Sequence, residues 1–290
     1  MRSIVIPYDA TPDQVDRIFP NINGVLFPGG AASVPPAAHR LWQLAEQSNA
    51  NGVYFPIWGT CLGFEFLLML GADRDHDLME DFAAENVSLP LYFSYDEKDG
   101  ENGKGSHHSP SSLLYDEGWQ ALLPHANITM NNHQFGLTPE SFNKNDKLTR
   151  IFDATTISYD LDGKAFVSTI EPKDPDHHPY YGVQYHPEKA VFEYGTCPHT
   201  NLPLEATDHS VSAIRLALHL AEFFGNAVRK NQRDTNHTFR EVDDYPFVYT
   251  YPRTTGVKFE EIYVIGWQDS TPPEWLTSTE MASSLRGSTG

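Results

Sequence analysis

Cysteine is nearly absent from this chain. Its 290 residues hold two, Cys61 and Cys197. That excludes the disulfide framework that staples small secreted domains, and a chain of this length has no need of one. A single Cys61–Cys197 bridge stays formally open, although the surroundings of Cys61 point to chemistry instead. Positive charge is scarce too: 20 Lys and Arg stand against 39 Asp and Glu, a net charge of −19. Nucleic acids and anionic membrane surfaces are gripped through Lys and Arg, so neither is expected as a partner. No apolar run approaches the roughly 18 residues of a membrane span. The opening "MRSIVIPYDATPDQ" is not a signal peptide, because its apolar part is short and Asp9 follows at once. Three Asn-X-Ser/Thr triplets, at Asn86, Asn127 and Asn236, point only weakly to the secretory pathway, since such triplets are common by chance.

What is present suffices for a large core: 40% of residues are hydrophobic and 12% aromatic. Short apolar runs alternate with helical patterns. "RSIVIP" reads as a short buried strand, and Thr11, Pro12 and Gln14 read as a capped helix start. "NGVLFPGG" predicts a strand over Gly24–Phe27 that ends in a Gly-Gly turn. "PPAAHRLWQLAEQS" reads as a helix with Leu41, Leu44 and Ala45 inward. "GVYFPIW" is the next strand, and "CLGFEFLLMLG" a helix stopped by Gly71. Strands and helices at this spacing predict an α/β fold, three layers with a mostly parallel sheet between helices. The middle is less regular. "DRDHDLMED" reads as a solvated acidic loop and residues 96–112 as a mobile one. "ISYDLDGKAFVSTIE" predicts two strands joined by an Asp162-Gly163 turn. "YYGVQYHPE" is a strand ending at His186, and residues 211–230 carry the longest helical pattern. "YPFVYTY" and "FEEIYVIGW" read as edge strands, with a disordered tail after them. One domain over 1–250 and a C-terminal extension over 251–290 is the expected division.

Cys61 sits between Gly59 and Gly63, after a strand and before a helix. A thiol attacks as thiolate, so it needs a thiolate-stabilising setting and something to catch the oxyanion it creates. A strand–turn–helix offers both, because free N–H groups and the positive end of the helix dipole face the sulfur. This is the cysteine counterpart of the G-x-S-x-G nucleophile elbow. The N–H of Leu62 is then one oxyanion donor, and the Gly29-Gly30 turn offers the second. A small buried structural cysteine is the alternative reading of the same motif.

"GVQYHPEKA" places His186 just past another apolar strand. Glu188, two residues on, falls on the same side of an extended chain, where a carboxylate can fix the imidazole tautomer. Pro187 stiffens the link.

At these residues the chain resembles the class I glutamine amidotransferase-like hydrolases, and within them the γ-glutamyl hydrolase (folylpolyglutamate hydrolase) family. The resemblance is carried by "NGVLFPGG", "YFPIWGTCLGFE", "NNHQFGLT", "YYGVQYHPEKAVFEY" and "AEFFGNAVRKN", across most of residues 20–232. It implies Cys61 as nucleophile, His186 as general base and then acid, Glu188 as its orienter, and Gly30 and Leu62 as oxyanion donors. It also implies Glu65 and His133 near the substrate. Gly29 of the Gly29-Gly30 turn is a further candidate substrate contact, and the substrate's carboxylates need donors, for which Lys189, directly after Glu188, and His133 are candidates. Lys189 reads equally as a surface lysine. True amidotransferases usually carry glutamine where Glu65 stands, which favours a stand-alone hydrolase. Family members begin with a further strand and helix, and a missing first βα unit is the expectation here.

The implied substrate is a small molecule, a poly-γ-glutamyl folate, cleaved with no cofactor and no metal. The histidine clusters at 107–108, 174–178 and 197–199 match no recognised metal spacing. A homodimer is compatible with the family, and a vacuole, lysosome or the extracellular space is the implied location. An acidic compartment suits a polyanionic substrate: protonating all 13 histidines adds 13 charges to −19 and leaves −6. Two other readings stay open, a glutamine amidotransferase subunit and an inactive truncated homologue.

Overall fold

The computed structural model describes residues 2–74, 76–94, 112–197, 199–232, 246–256, 261–263 and 265. The loop expected over 96–112 therefore lies outside the described residues but for Ser112, as do the C-terminal tail, Asn236 and the His107-His108 pair.

Eight α-helices are described: α1 (Pro12–Ile18), α2 (Pro36–Ala50), α3 (Leu62–Ala72), α4 (Glu117–Leu122), α5 (Pro139–Lys144), α6 (Leu148–Ile151), α7 (Lys189–Phe192) and α8 (Val211–Lys230). The strands are β1 (Val25–Phe27), β2 (Ile57–Thr60), β3 (Glu80–Leu89), β4 (Tyr92–Phe93), β5 (Thr129–Gly136), β6 (Phe152–Tyr159), β7 (Ala165–Pro172), β8 (Tyr180–Val183), β9 (Arg253–Thr254) and β10 (Ile262–Tyr263). The chain divides into two units: Tyr8–Val191 with Ala206–His237, and Met1–Pro7 with Phe192–Glu205 and Thr238–Gly290.

The larger unit is built on a six-stranded sheet of order β1-β2-β8-β7-β6-β4. It is α/β as expected, but mixed: β1, β2 and β8 run parallel, while β7, β6 and β4 continue antiparallel. The parallel half carries the chemistry. Alternation along these strands sorts side chains to two faces. Trp58, Tyr181, Val183 and Tyr185 join Ala213, Leu216, Leu220 and Phe224 of α8 in one apolar cluster. On the opposite face Gly182 lies against Phe64 and Leu67 of α3. Each leucine or phenylalanine so buried contributes about 1.5–3 kcal/mol, which is why the amphipathic run 211–230 folds as a helix along its whole predicted length.

Several local expectations hold. Thr11 caps α1 through a full capping box. The β6–β7 hairpin turns through Asp162-Gly163, with Gly163 at φ +82°. Others need correction. Gly71 is inside α3, and the helix ends at Asp73 in the left-handed conformation; Gly71 packs against Phe152 instead. "RSIVIP" is not a buried strand. Its residues are exposed or half-buried, and Ile4 makes a single antiparallel bridge to Phe247. "YPFVYTY" accordingly gives that bridge and a 3-10 turn over Val248–Thr250, not a strand. The β3–β5 pair, absent from the sequence reading, is a separate antiparallel ribbon with two register shifts.

Candidate active site

Cys61 stands where β2 gives way to α3. Its backbone is forced into φ 52°, ψ −109°, a conformation L-residues rarely adopt. Neighbouring elements hold it there. The Cys61 N–H donates to Val183 O of β8 at 2.9 Å, and the Glu65 N–H closes the first helical turn on Cys61 O at 3.0 Å. The side chain caps nothing, so the sulfur is left for other work. It is 4% exposed.

His186 follows β8 in the same layer, pinned by its N–H donating to Met130 O of β5 at 2.7 Å. Its ring is hydrogen-bonded to Cys61 on one side. On the other, Nδ1 meets Glu188 Oε1 at 2.6 Å. Burial pulls the imidazole pKa down, but the hydrogen bonds and charges of Cys61 and Glu188 outweigh it and carry it up to about 10. The ring therefore holds its proton beside the sulfur. A cysteine sulfur beside an imidazole that a carboxylate orients is an arrangement suited to attack on a carbonyl carbon.

The two residues expected as oxyanion donors, Leu62 and Gly30, are neighbours in space. Leu62 is the first residue of α3, so its N–H has no partner within the helix. Gly30 lies against the Leu62 side chain; a Cβ on Gly30 would stand 3.5 Å from Leu62 Cδ2. Gly29 is closer still to the machinery. A Cβ there would sit 2.6 Å from His186 Cε1 and 3.5 Å from Cys61 Cβ. Gly29 thus seats the imidazole, a tighter role than the substrate contact expected of it. Gly29→Ala should push the ring away from sulfur and lower kcat by about 100-fold, with a melting temperature close to wild type because the clash is with a side chain. An unchanged kcat would show that the turn does not seat the ring.

Residues 1–203 match the family described as glutamine amidotransferase class-I. The chain belongs to that family. Among its curated relatives, γ-glutamyl hydrolase B of Dictyostelium discoideum is 34% identical over 91% of this chain and 72% of its own length. The γ-glutamyl hydrolase of Homo sapiens is 33% identical over 91% of this chain and 78% of its own. γ-Glutamyl hydrolase 1 of Arabidopsis thaliana is 28% identical over 91% of the chain.

Three further candidate residues are placed less simply. His133 of β5 is 5% exposed. Its Nδ1 lies 2.8 Å from Phe135 O and its Nε2 3.2 Å from Asn131 Oδ1. Burial holds it down at about 4, with nearby His186 acting the same way. Burial therefore favours its neutral form, which works against a part as cationic partner for a carboxylate and against its share of the histidine charge expected in acid. Lys189 is 5% exposed at the start of α7, which removes the surface-lysine reading. Glu65 is 4% exposed, one turn into α3, and accepts from Gln184 Nε2 at 3.0 Å. Gln184 and Asn131 had no role in the sequence reading. Gln184 stands inside "GVQYHPE" two residues before His186, and Asn131 opens "NNHQFGLT" two residues before His133; those quoted segments are the available signals.

Neither cysteine is in a disulfide, so the Cys61–Cys197 bridge is not made. Among the described residues no group of three or more His, Cys, Asp or Glu is placed to hold a metal, and no helix is long and apolar enough to cross a membrane.

Proposed function

We propose that this chain hydrolyses γ-glutamyl isopeptide bonds through a thioester on Cys61, with poly-γ-glutamyl folates as the substrate class. The observation that supports it is the Cys61–His186–Glu188 line at the carboxyl ends of parallel strands, in a chain whose relatives carry the name γ-glutamyl hydrolase. The Cys61 sulfur attacks the γ-carbonyl carbon, and the oxygen takes its negative charge toward the N–H groups of Leu62 and Gly30. The C–N bond breaks as His186 passes its proton to the leaving amine. His186 then takes a proton from water, which attacks the thioester. The carboxylic acid departs and the thiol is restored. Glu188 keeps Nδ1 engaged throughout, so that Nε2 faces the reacting atoms. An acidic vacuolar, lysosomal or extracellular setting suits a substrate whose tail is a row of carboxylates.

Incubation with a p-aminobenzoyl tetra-γ-glutamate near pH 5, read by mass, tests the reading. Shortened chains and free glutamate or γ-glutamyl peptides are expected. Release of ammonia from glutamine, with the polyglutamate left whole, would assign the site to glutaminase chemistry instead.

A further inference from the structure

Of the buried acids, Glu65 is the one that stands next to the nucleophile, and the reaction so derived gives it no part. Glu65 shares its turn of α3 with the nucleophile, through its own N–H on Cys61 O. Its carboxyl reaches across to Gln184, which is fully buried and two residues before His186. The pair thus joins the element that presents sulfur to the element that presents imidazole. Its hydrogen bonding is incomplete. Gln184 Nε2 donates to Glu65 Oε1, but Gln184 Oε1 is buried with no hydrogen-bond partner among the described residues. A carbonyl oxygen stranded in this way is costly. An ionised Glu65 has no hydrogen to offer it. A neutral carboxyl has one, and an acid facing an amide makes two complementary hydrogen bonds.

The charged surroundings point the same way. α3 carries no other ionisable side chain over Leu62–Ala72, and β1 and β2, against which it packs, carry none. Tyr180 of β8 is engaged with Glu46 and Asn49. On α2, Arg40 pairs with Asp16, Glu46 with Tyr180, and His39 is exposed. On α6, Arg150 is exposed, and Lys147 just before it pairs with Asp73. The titratable groups left at this end of the sheet are the Cys61 thiol, His186 with its partner Glu188, the buried Lys189 and the buried His133. No ion pair to Glu65 is made among the described residues, and the one side-chain hydrogen bond described for its carboxyl comes from Gln184. Burial pushes its carboxyl up to about 7, against the opposing effect of the Gln184 hydrogen bond.

We propose that Glu65 is a protonated positioning residue: its O–H pairs with Gln184 Oε1 in an acid–amide latch that aligns Cys61 with His186, and ionisation of Glu65 opens the latch. This deepens the hydrolase reading above and rests on it for the turnover measurements alone. The latch makes the site competent in acid and impairs it as pH rises past neutrality. Glu65→Gln installs the residue that amidotransferases carry at this position, and an amide facing an amide cannot ionise.

The test compares the full chain with E65Q and Q184L. Rate–pH profiles come first. One unit above the carboxyl's midpoint wild type should have lost about tenfold in kcat, whereas the E65Q upper limb should move up by a unit or more. Q184L removes the partner and should lower kcat more than it changes KM at pH 5. Two readouts need no turnover. The infrared carbonyl stretch of protonated carboxyls should be stronger at pH 5.5 in wild type than in E65Q, the difference being the band of Glu65; the buried Glu171 contributes equally to both. The wild-type melting temperature should fall more steeply than that of E65Q between pH 5 and 7.5, because there the folded protein keeps a proton that the unfolded chain releases. Superimposable upper limbs, or no carboxyl band lost in E65Q, would overturn the latch. If neither protein cut a γ-glutamyl bond, the hydrolase reading would fail while the infrared and melting comparisons still decided the pair.

Discussion

Cys61→Ala should reduce γ-glutamyl hydrolysis by about 10⁴-fold or more, the scale on which removal of a covalent nucleophile is felt. The fold should survive. The Cys61 side chain makes no capping bond, its backbone N–H and carbonyl are the groups that tie β2 to β8 and α3, and alanine retains both. The backbone strain at φ 52° is paid equally by either residue. The expected loss lies in kcat, since the backbone around residue 61 and its neighbours Gly29, Leu62 and His186 stay in place. A second measurement ties the loss to the covalent step. A slow substrate mixed with wild type and quenched in acid should leave an acyl group on the peptide that holds Cys61, with none on the alanine variant. Turnover retained by Cys61→Ala, with an acyl group found elsewhere, would remove this residue from the mechanism. Glu188→Gln should act more gently: the carboxylate is half exposed, and the imidazole keeps its bond to sulfur.

The site was legible in the sequence where a few adjacent residues determine the geometry. Gly59, Cys61 and Gly63 specify an elbow by themselves, because only small residues let a strand double back so tightly into a helix. His186, Pro187 and Glu188 specify an imidazole–carboxylate pair because both side chains leave one short extended segment. What failed was set by distant partners. β3 reads "EDFAAENVSL", whose polar residues and two register shifts hide the alternation of a strand, so the ribbon with β5 went unseen. His133 lies on that ribbon, and its neutrality comes from tertiary burial against Phe166 and Asn131. Composition counted it as a charge in waiting. "RSIVIP" has strand composition but finds a partner at one position only. Gly71 has the look of a helix stop because local rules favour glycine there, yet it is the last residue but one of α3, where it packs on Phe152.

The largest loss of stability should come from Gly63→Ala. A Cβ on Gly63 would lie 2.0 Å from Phe27 O, 2.6 Å from Phe27 C and 2.7 Å from Phe27 Cβ. Two of these are backbone atoms of β1, and rotation of a side chain cannot relieve them. Nor can α3 retreat, because Gly59 is interlocked with it: a Cβ on Gly59 would meet Gly63 O at 2.4 Å. β1, β2 and the first turn of α3 are therefore in mutual backbone contact, and an added methyl group must part them. Since Phe27 leads through Pro28 into Gly29 and Gly30, parting them also displaces the oxyanion turn. The expected cost is above about 4 kcal/mol, beyond ordinary overpacking. Gly163→Ala is the control. Gly163 has a positive φ of 82° but open space around it, so alanine there pays only the conformational penalty of about 1 kcal/mol. Urea unfolding of both variants separates the two causes. Gly163→Ala should shift the midpoint slightly, while Gly63→Ala should unfold at far lower urea or fail to accumulate as soluble protein. Similar midpoints for the two would mean that the elbow tolerates a methyl group, and that its glycines serve turn geometry rather than the close packing of three backbones.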